Sequence, residues 1–425
     1  MELKGKNVTV LGAGESGLSS VRLLVSKGAH VFLSEFQDAK KFNEEVNSLK
    51  EMGIDFEFGG HDLNQIKKSD LIVISPGIPP SSIVHQEILK ENLPVWSEIE
   101  LAYQFVKDHP IIAITGTNGK TTVTTLVKNV LTQAGKRVAC CGNIGNSLAR
   151  EVEHIEPGAV IVLEISSFQL FHTIQFHPSM GVLLNLSVNH LDWHPTFEHY
   201  AACKLNLFKN QTSSEVAVLN GSDLEVMKLA PQIHSQKFYF GMESECDNPN
   251  FSAVRMVAER MGVDPDLTNS VLSSFCGIEH RLEDVGFVRN IRFINDSKST
   301  TIASLKWALE RMPEGVVLIV GGRHKGGDFS VLRDVMKKKA SALIAIGECK
   351  DKLMETFKND IPVSAAASLN DAISEAYELQ GSSKTVLFSP ACASFDMFRN
   401  YEDRGHKFKA LVDDLRLHHL PPVLL

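Results

Sequence analysis

Disulfide and zinc signatures are missing from this chain. Its seven cysteines are an odd number, and no two are spaced as Cys-x-x-Cys. Cys140, Cys141, Cys203, Cys246, Cys276, Cys349 and Cys392 are scattered instead, which favours reduced, mostly buried thiols over a disulfide frame or a zinc site. No apolar run approaches the roughly 20 residues that span a bilayer, so membrane insertion is not expected. Residues 1–6 lead into a strand pattern with no signal-peptide apolar core, and the expectation is a cytoplasmic protein. Positive charge is in deficit, with 43 basic against 51 acidic residues and a net charge of -8. That argues against nucleic acid as a partner while leaving room for a local basic pocket. Internal repeats and low-complexity tracts are absent as well. What is present is ordinary for a globular protein: 43% apolar and 22% charged residues. At roughly 150 residues per domain, the length predicts about three domains.

The recurring unit is a short β-branched run, a Gly-rich turn and an amphipathic helix, which predicts an α/β fold with parallel sheets. Strands are expected over 8–11, 31–33 and 71–74. A break in the rhythm over 93–110 suggests a domain boundary. A second block opens with a strand over 111–114. Its helix carries Val123, Leu126, Val127, Val130 and Leu131 at i, i+3, i+4, i+7 and i+8, and Gly135 ends it. Further strands are expected over 160–163, 182–186 and 216–219. A third block begins between 278 and 295, with strands over 316–320, 343–346 and 386–388. The resulting division is 1–97, 98–279 and 280–425.

Thr115-Gly116-Thr117-Asn118-Gly119-Lys120-Thr121-Thr122 carries the strongest chemical signal. A glycine-rich loop between a buried strand and a helix aims backbone N–H groups and the positive helix end at phosphate oxygens. Lys120 can reach the β/γ-phosphates and the Thr121 hydroxyl can ligate Mg²⁺. Ile114 stands where the usual phosphate loop has its first glycine, so the loop is Gly-x-x-Gly-Lys-Thr. Gly12-x-Gly14-x-x-Gly17 matches the dinucleotide fingerprint, with Glu35 near the position of a ribose-binding acid. A plain tight turn, NAD binding, or a nucleotide-sugar diphosphate would each use it. Glu164, at the end of a strand, suits Mg²⁺. His190 and His194 would share a helix face, yet spacing alone does not decide whether a metal binds there. Lys204 reads as an ordinary snorkelling lysine. Polar loops after three strands of the third block, at 295–300, 321–325 and 389–394, converge on one sheet edge. With Lys298, Arg323 and Lys325, that edge suits anionic groups.

In order along the chain, the 115–122 loop, Gly142-Asn143-Ile144-Gly145, Glu164-Ile165-Ser166-Ser167, His190-Leu191-Asp192, His280-Arg281 and Asn295-Asp296-Ser297-Lys298 resemble the Mur ligases. These are the ATP-dependent amide-forming enzymes of peptidoglycan precursor synthesis. Segments 10–19, 75–78 and 389–398, with Arg404 and Gly405, are similar to the branch that adds D-glutamate. The resemblance runs from about residue 5 to 415. It implies a Rossmann-like N-terminal domain, a central P-loop-type ATPase domain and a Rossmann-like C-terminal domain. It also implies that the chain works as a monomer on UDP-N-acetylmuramoyl-L-alanine and D-glutamate, through an acyl phosphate and a tetrahedral intermediate. Glu15, Ser16, Ser34, Glu35 and Gly77 would hold the UDP part. Residues Gly116, Thr117, Asn118, Gly119, Lys120, Thr121 and Thr122 would hold the ATP phosphates, and Asn250, Arg281 and Asp296 the adenosine. Thr121 and Glu164 would bind one Mg²⁺ and His190 a second, bridged by Lys204 as a carbamate formed with CO₂. Asn143 would lie near the reacting carboxylate. Lys298, Thr300, Lys325, Ser394 and Tyr401 would form the D-glutamate pocket.

The chain departs from the family pattern at Asn189, where an acid often precedes the histidine, at Asp247, more often Asn, and at Tyr401, usually Phe. Alternatives are a folylpolyglutamate-type ligase, which would lack the 12–17 domain, an NAD-dependent dehydrogenase, which would leave the second phosphate loop unexplained, and a non-catalytic nucleotide switch.

Overall fold

The computed structural model describes residues 2–191, 193–242, 248–275, 277–324, 327–379 and 384–418. Two compact units divide at 275/276. Each is built from the strand–turn–helix repeat that the hydrophobic pattern predicts.

The first unit contains two sheets. One is wholly parallel, in the order Asp55–Phe58, His30–Glu35, Asn7–Leu11, Leu71–Ile74, Val95–Ser97. The strand order reverses between Asn7–Leu11 and Leu71–Ile74, the crevice where open α/β sheets bind ligands. The other is a six-stranded parallel sheet ordered Gln236–Phe240, Val216–Asn220, Met180–Leu183, Ile111–Thr115, Val160–Glu164, Val138–Gly142. Its central strands are continuous apolar runs because helices cover both faces. Helix Lys120–Gln133 buries Val123, Leu126, Val127, Val130 and Leu131, the positions read from the sequence. Each such side chain contributes about 1.5–3 kcal/mol.

The segment 93–110, where the strand–turn–helix rhythm of the sequence breaks, is itself regular structure. It forms the strand Val95–Ser97 and the helix Glu98–Tyr103, every residue of which is buried. Two glutamates disguise this helix as a polar connection. The Glu100 carboxylate accepts backbone N–H bonds from Ile174, Gln175 and Phe176 at 2.8, 2.9 and 3.0 Å. Glu98 accepts one from Ala149 at 2.5 Å. The strand expected over 182–186 starts two residues earlier and ends three earlier, at Met180–Leu183, which frees Leu184–Ser187 to contact the phosphate loop.

The second unit has one six-stranded sheet, ordered Glu283–Val288, Ile291–Asn295, Thr385–Phe388, Val316–Gly321, Ala340–Ile346, Val363–Ala365. All of its pairings are parallel except the first. The three polar loops singled out in the sequence leave three adjacent strands at the same edge. No helix among the described residues is long and apolar enough to cross a membrane.

Candidate active site

Two glycine-rich turns face two different chemistries in the first unit. At the first, Gly12 has φ 96° and a Cβ there would lie 2.7 Å from Ser75 Oγ. A Cβ at Gly17 would run into the Gly12 carbonyl, so the two glycines let helix Glu15–Ser26 close onto its strand. Glu35 binds this turn from the neighbouring strand: its carboxylate accepts from the amides of Ala13 and Gln37, both at 2.8 Å. A cleft of about 360 Å³ opens here, and Gly12, Glu35, Gly77, Phe36 and His61 are among its walls. Glu15 is exposed, 3.5 Å from Arg150, and Ser16 is half-buried. Ser34 is fully buried, its hydroxyl 2.6 Å from both Glu57 and His61. Burial pushes the His61 imidazole below its ordinary pKa.

At the second turn two lysines and one carboxylate gather. Gly116 and Gly119 have φ 153° and 85°, and a Cβ at Gly119 would collide with the Asn250 side chain, which brings Asn250 to the loop. The turn is pinned at Thr117, whose hydroxyl is 2.9 Å from the Tyr200 OH, and at the Asn118 amide, which donates to Asn185 at 2.8 Å. Lys120 folds over the loop and donates to the carbonyls of Gly116 and Thr117 at 2.8 and 3.0 Å. Thr121 and Thr122 open the helix, with Thr121 buried. Lys204 approaches from helix Phe197–Leu205 and donates to Thr115 Oγ1 at 3.1 Å and to the Gly116 carbonyl at 3.0 Å. It is 2% exposed, and burial, followed by the Lys120 charge, pushes its pKa well below the lysine range. Glu164 ends the adjacent strand. One of its oxygens accepts from Asn143 at 2.8 Å, and the other is buried with no partner. An orphaned buried carboxylate oxygen beside a hydroxyl-bearing phosphate loop fits a hard cation.

His190 and His194 do not share a helix face. His190 adopts φ 54°, is exposed, and its ring lies steeply inclined to that of Phe168, centres 4.8 Å apart. His194 is fully buried, 2.9 Å from the Ser167 hydroxyl. The chain makes a tight turn here, with the amides of Trp193 and His194 both donating to the His190 carbonyl.

In the second unit Asp296, Lys298, Thr300 and Ser394 come from loops joined to one another. The Ala391 amide donates to the Ser299 carbonyl at 2.8 Å, and Arg323 pairs with Ala393. Asp296 accepts from Ser389 Oγ at 2.7 Å and from the Leu282 amide at 3.1 Å, and burial pushes its carboxyl up to about 6. Arg281 lies over the Trp307 ring, and the Lys298 ammonium is 5.7 Å from the Tyr401 ring centre. Ser394 is buried. Lys325, Asp247 and Asp192 lie outside the described residues.

Sequence reasoning gives Arg404 no role of its own, yet it ties these loops together. At 1% exposure it donates to Ser297 O at 2.8 Å, Ser297 Oγ at 3.0 Å and Cys392 O at 3.1 Å. Its place beside Gly405 in the family resemblance marks the position but not its partners. Tyr200 and His61 carry no signal in the sequence, because neither sits in a motif.

Residues 114–274 match the Mur ligase middle domain, and residues 6–97 match the Mur ligase MurD-like N-terminal domain. The UDP-N-acetylmuramoylalanine–D-glutamate ligase of Pelodictyon phaeoclathratiforme is 38% identical, over 98% of this chain and 99% of that protein. Among solved structures, the MurF ligase of Thermotoga maritima in complex with ADP superposes with a TM-score of 0.57 at 15% identity, over 99% of this chain and 97% of that one. The UDP-N-acetylmuramate–alanine ligase of the same organism gives 0.53 at 18% identity, over 96% and 99%. At those identities the superpositions establish the fold: α/β, with the three-domain architecture of these ligases. A near full-length relative at this identity, joined to two matched domains, establishes the kinship: the chain belongs to the Mur ligase family.

Proposed function

We propose that this chain joins D-glutamate to UDP-N-acetylmuramoyl-L-alanine at the expense of ATP, releasing ADP and phosphate, as a cytoplasmic step of peptidoglycan precursor synthesis. The observation that carries the reading is a near full-length relative of that name, 38% identical. The sheet around Gly12–Gly17 that a folylpolyglutamate-type ligase would lack is present.

Residues 1–97 take the UDP-sugar, with Glu15, Ser16, Ser34, Glu35 and Gly77 as its contacts. Residues 98–279 take ATP on Gly116 to Thr122, with Asn250 toward the adenosine. Residues 280–425 contribute Arg281 and Asp296 to the adenosine, and Lys298, Thr300, Lys325, Ser394 and Tyr401 to D-glutamate. A carboxylate is a poor acyl donor, so it is first phosphorylated. The amine of D-glutamate then attacks the acyl phosphate, and phosphate leaves from the tetrahedral intermediate. Phosphoryl transfer between anions needs positive charge where repulsion develops. Lys120 and the loop amides supply it, and Asn143 orients the reacting carboxylate. Thr121, Glu164 and His190 would hold Mg²⁺, which when bound offsets the same repulsion. The pKa depression at Lys204 favours the neutral amine. Lys204 would carry the CO₂-derived carbamate, formed with loss of one proton from the amine, and the group would supply a negatively charged oxygen ligand for Mg²⁺.

The test is phosphate release by the full chain with ATP, UDP-N-acetylmuramoyl-L-alanine and a panel of amino acids. Release should require D-glutamate. Equal turnover with L-glutamate or D-alanine would overturn the assignment.

A further inference from the structure

We propose that His194, His199 and Cys203 form a site for a borderline-soft transition-metal ion, Zn²⁺ or Co²⁺, separate in ligand chemistry from the Mg²⁺ positions. The three ligand atoms converge. His194 Nδ1 and His199 Nδ1 are 2.9 Å apart, and Cys203 Sγ is 3.8 Å from each. A circle through them has a radius of about 2.1 Å, close to Zn–N distances of roughly 2.0–2.1 Å and a Zn–S distance of roughly 2.3 Å.

The fold builds this cluster from two directions. His199 and Cys203 are four residues apart in helix Phe197–Leu205 and so share a face. Thr196 caps that helix by accepting from the His199 amide. His194 comes from the turn before it. Its Nε2 is 2.9 Å from the Ser167 hydroxyl, which fixes the ring so that Nδ1 faces the helix. The surroundings are aromatic. Phe168 stacks on His194 at 5.4 Å, and Phe171 lies 5.4 Å from His199. His194 and Cys203 are buried and His199 is half-buried, so water can supply a fourth ligand from the His199 side. Two imidazoles and a thiolate select Zn²⁺ or Co²⁺ over Mg²⁺, which demands oxygen ligands. Binding replaces the thiol proton, which leaves to solvent. The sequence pattern is His-x₄-His-x₃-Cys, without Cys-x-x-Cys, which is why the cysteine spacing alone argues against zinc.

The test uses the full chain, stripped of metal by chelation and titrated with Co²⁺. One equivalent should produce the near-ultraviolet thiolate-to-cobalt absorption, which oxygen and nitrogen ligands alone cannot give. That band should vanish in Cys203→Ser and persist in Cys140→Ser. Should Cys203→Ser fold poorly, His199→Gln provides the second reading. Zn²⁺ should raise the melting temperature of the parent chain, Mg²⁺ at equal concentration should not, and the Zn²⁺ shift should be lost in His199→Gln. No Cys203-dependent band, or an equal Zn²⁺ shift in His199→Gln, would overturn the site and show a hydrogen-bonded cluster only.

Discussion

The two glycine turns of the first unit share a backbone plan and differ in charge. Both follow a central parallel strand and open a helix, and both need glycine where a side chain would collide. Around the first turn the nearby ionisable groups include Glu15 at the helix start, paired with Arg150, Glu35 across the amides of Ala13 and Gln37, and His61 in the cleft wall. Around the second they are Lys120 and the buried Lys204, with Glu164 holding one oxygen unpaired. A turn supplies amides and a dipole in either case. The side chains decide which anion it can serve, and the Lys120 cation beside a carboxylate with one open oxygen is what the proposed triphosphate and its metal would use. The first turn opens on a cleft with His61 and Phe36, where the proposed UDP-sugar would lie.

This contrast can be broken at several points. Lys120→Ala should lower kcat by about 10²–10³-fold, the loss typical of one removed charge-stabilising donor, and Lys204→Ala should lower it comparably by removing the proposed metal-holding carbamate. Steady-state rates with the variants folded, as judged by circular dichroism, check this. Full activity of Lys204→Ala would end the carbamate assignment.

Glycine substitutions sharpen the comparison next. Gly17→Ala drives a methyl into the Gly12 backbone and should cost about 2–3 kcal/mol of stability. Gly119→Ala meets only the tip of Asn250, at φ 85°. It should cost about 1 kcal/mol, with the larger effect on ATP affinity. Chemical denaturation and nucleotide titration separate the two.

Glu98 lies near the first turn, where burial foremost, and Glu15 to a lesser degree, push its carboxyl up to about 7. Its folded value is above its unfolded one, so its contribution is full below about pH 4 and is lost as pH rises through 7. Glu98→Gln keeps an acceptor for Ala149 and should be neutral at pH 5. At pH 8 it should stabilise by about 1–2 kcal/mol. Melting curves at the two pH values decide it, and equal shifts at both would refute the buried acid.

The smallest effect is expected at Glu35→Gln. One carboxylate oxygen remains an acceptor, so the KM for the UDP-sugar should rise about fivefold, equivalent to about 1 kcal/mol, with kcat unchanged.

Legibility in the sequence depends on distance along the chain. The phosphate loop and the helix after it are readable because every needed residue lies close in sequence and the apolar period is regular. The buried helix Glu98–Tyr103 is not. Its glutamates find their backbone donors more than fifty residues away, which no local pattern reveals. The spacing of His190 and His194 misleads, because four residues fit a tight turn as well as a helix. Arg404 is hidden for the same reason as Glu100: its partners, Ser297 and Cys392, meet it only in the folded unit.

The most direct test of the division of labour between the two turns is equilibrium titration of Lys120→Ala with each nucleotide ligand. ATP affinity should fall by about 10-fold or more, equivalent to at least about 1.4 kcal/mol, while UDP-N-acetylmuramoyl-L-alanine binds as it does to the parent chain. Parallel loss of both ligands, or of the UDP-sugar alone, would contradict the account.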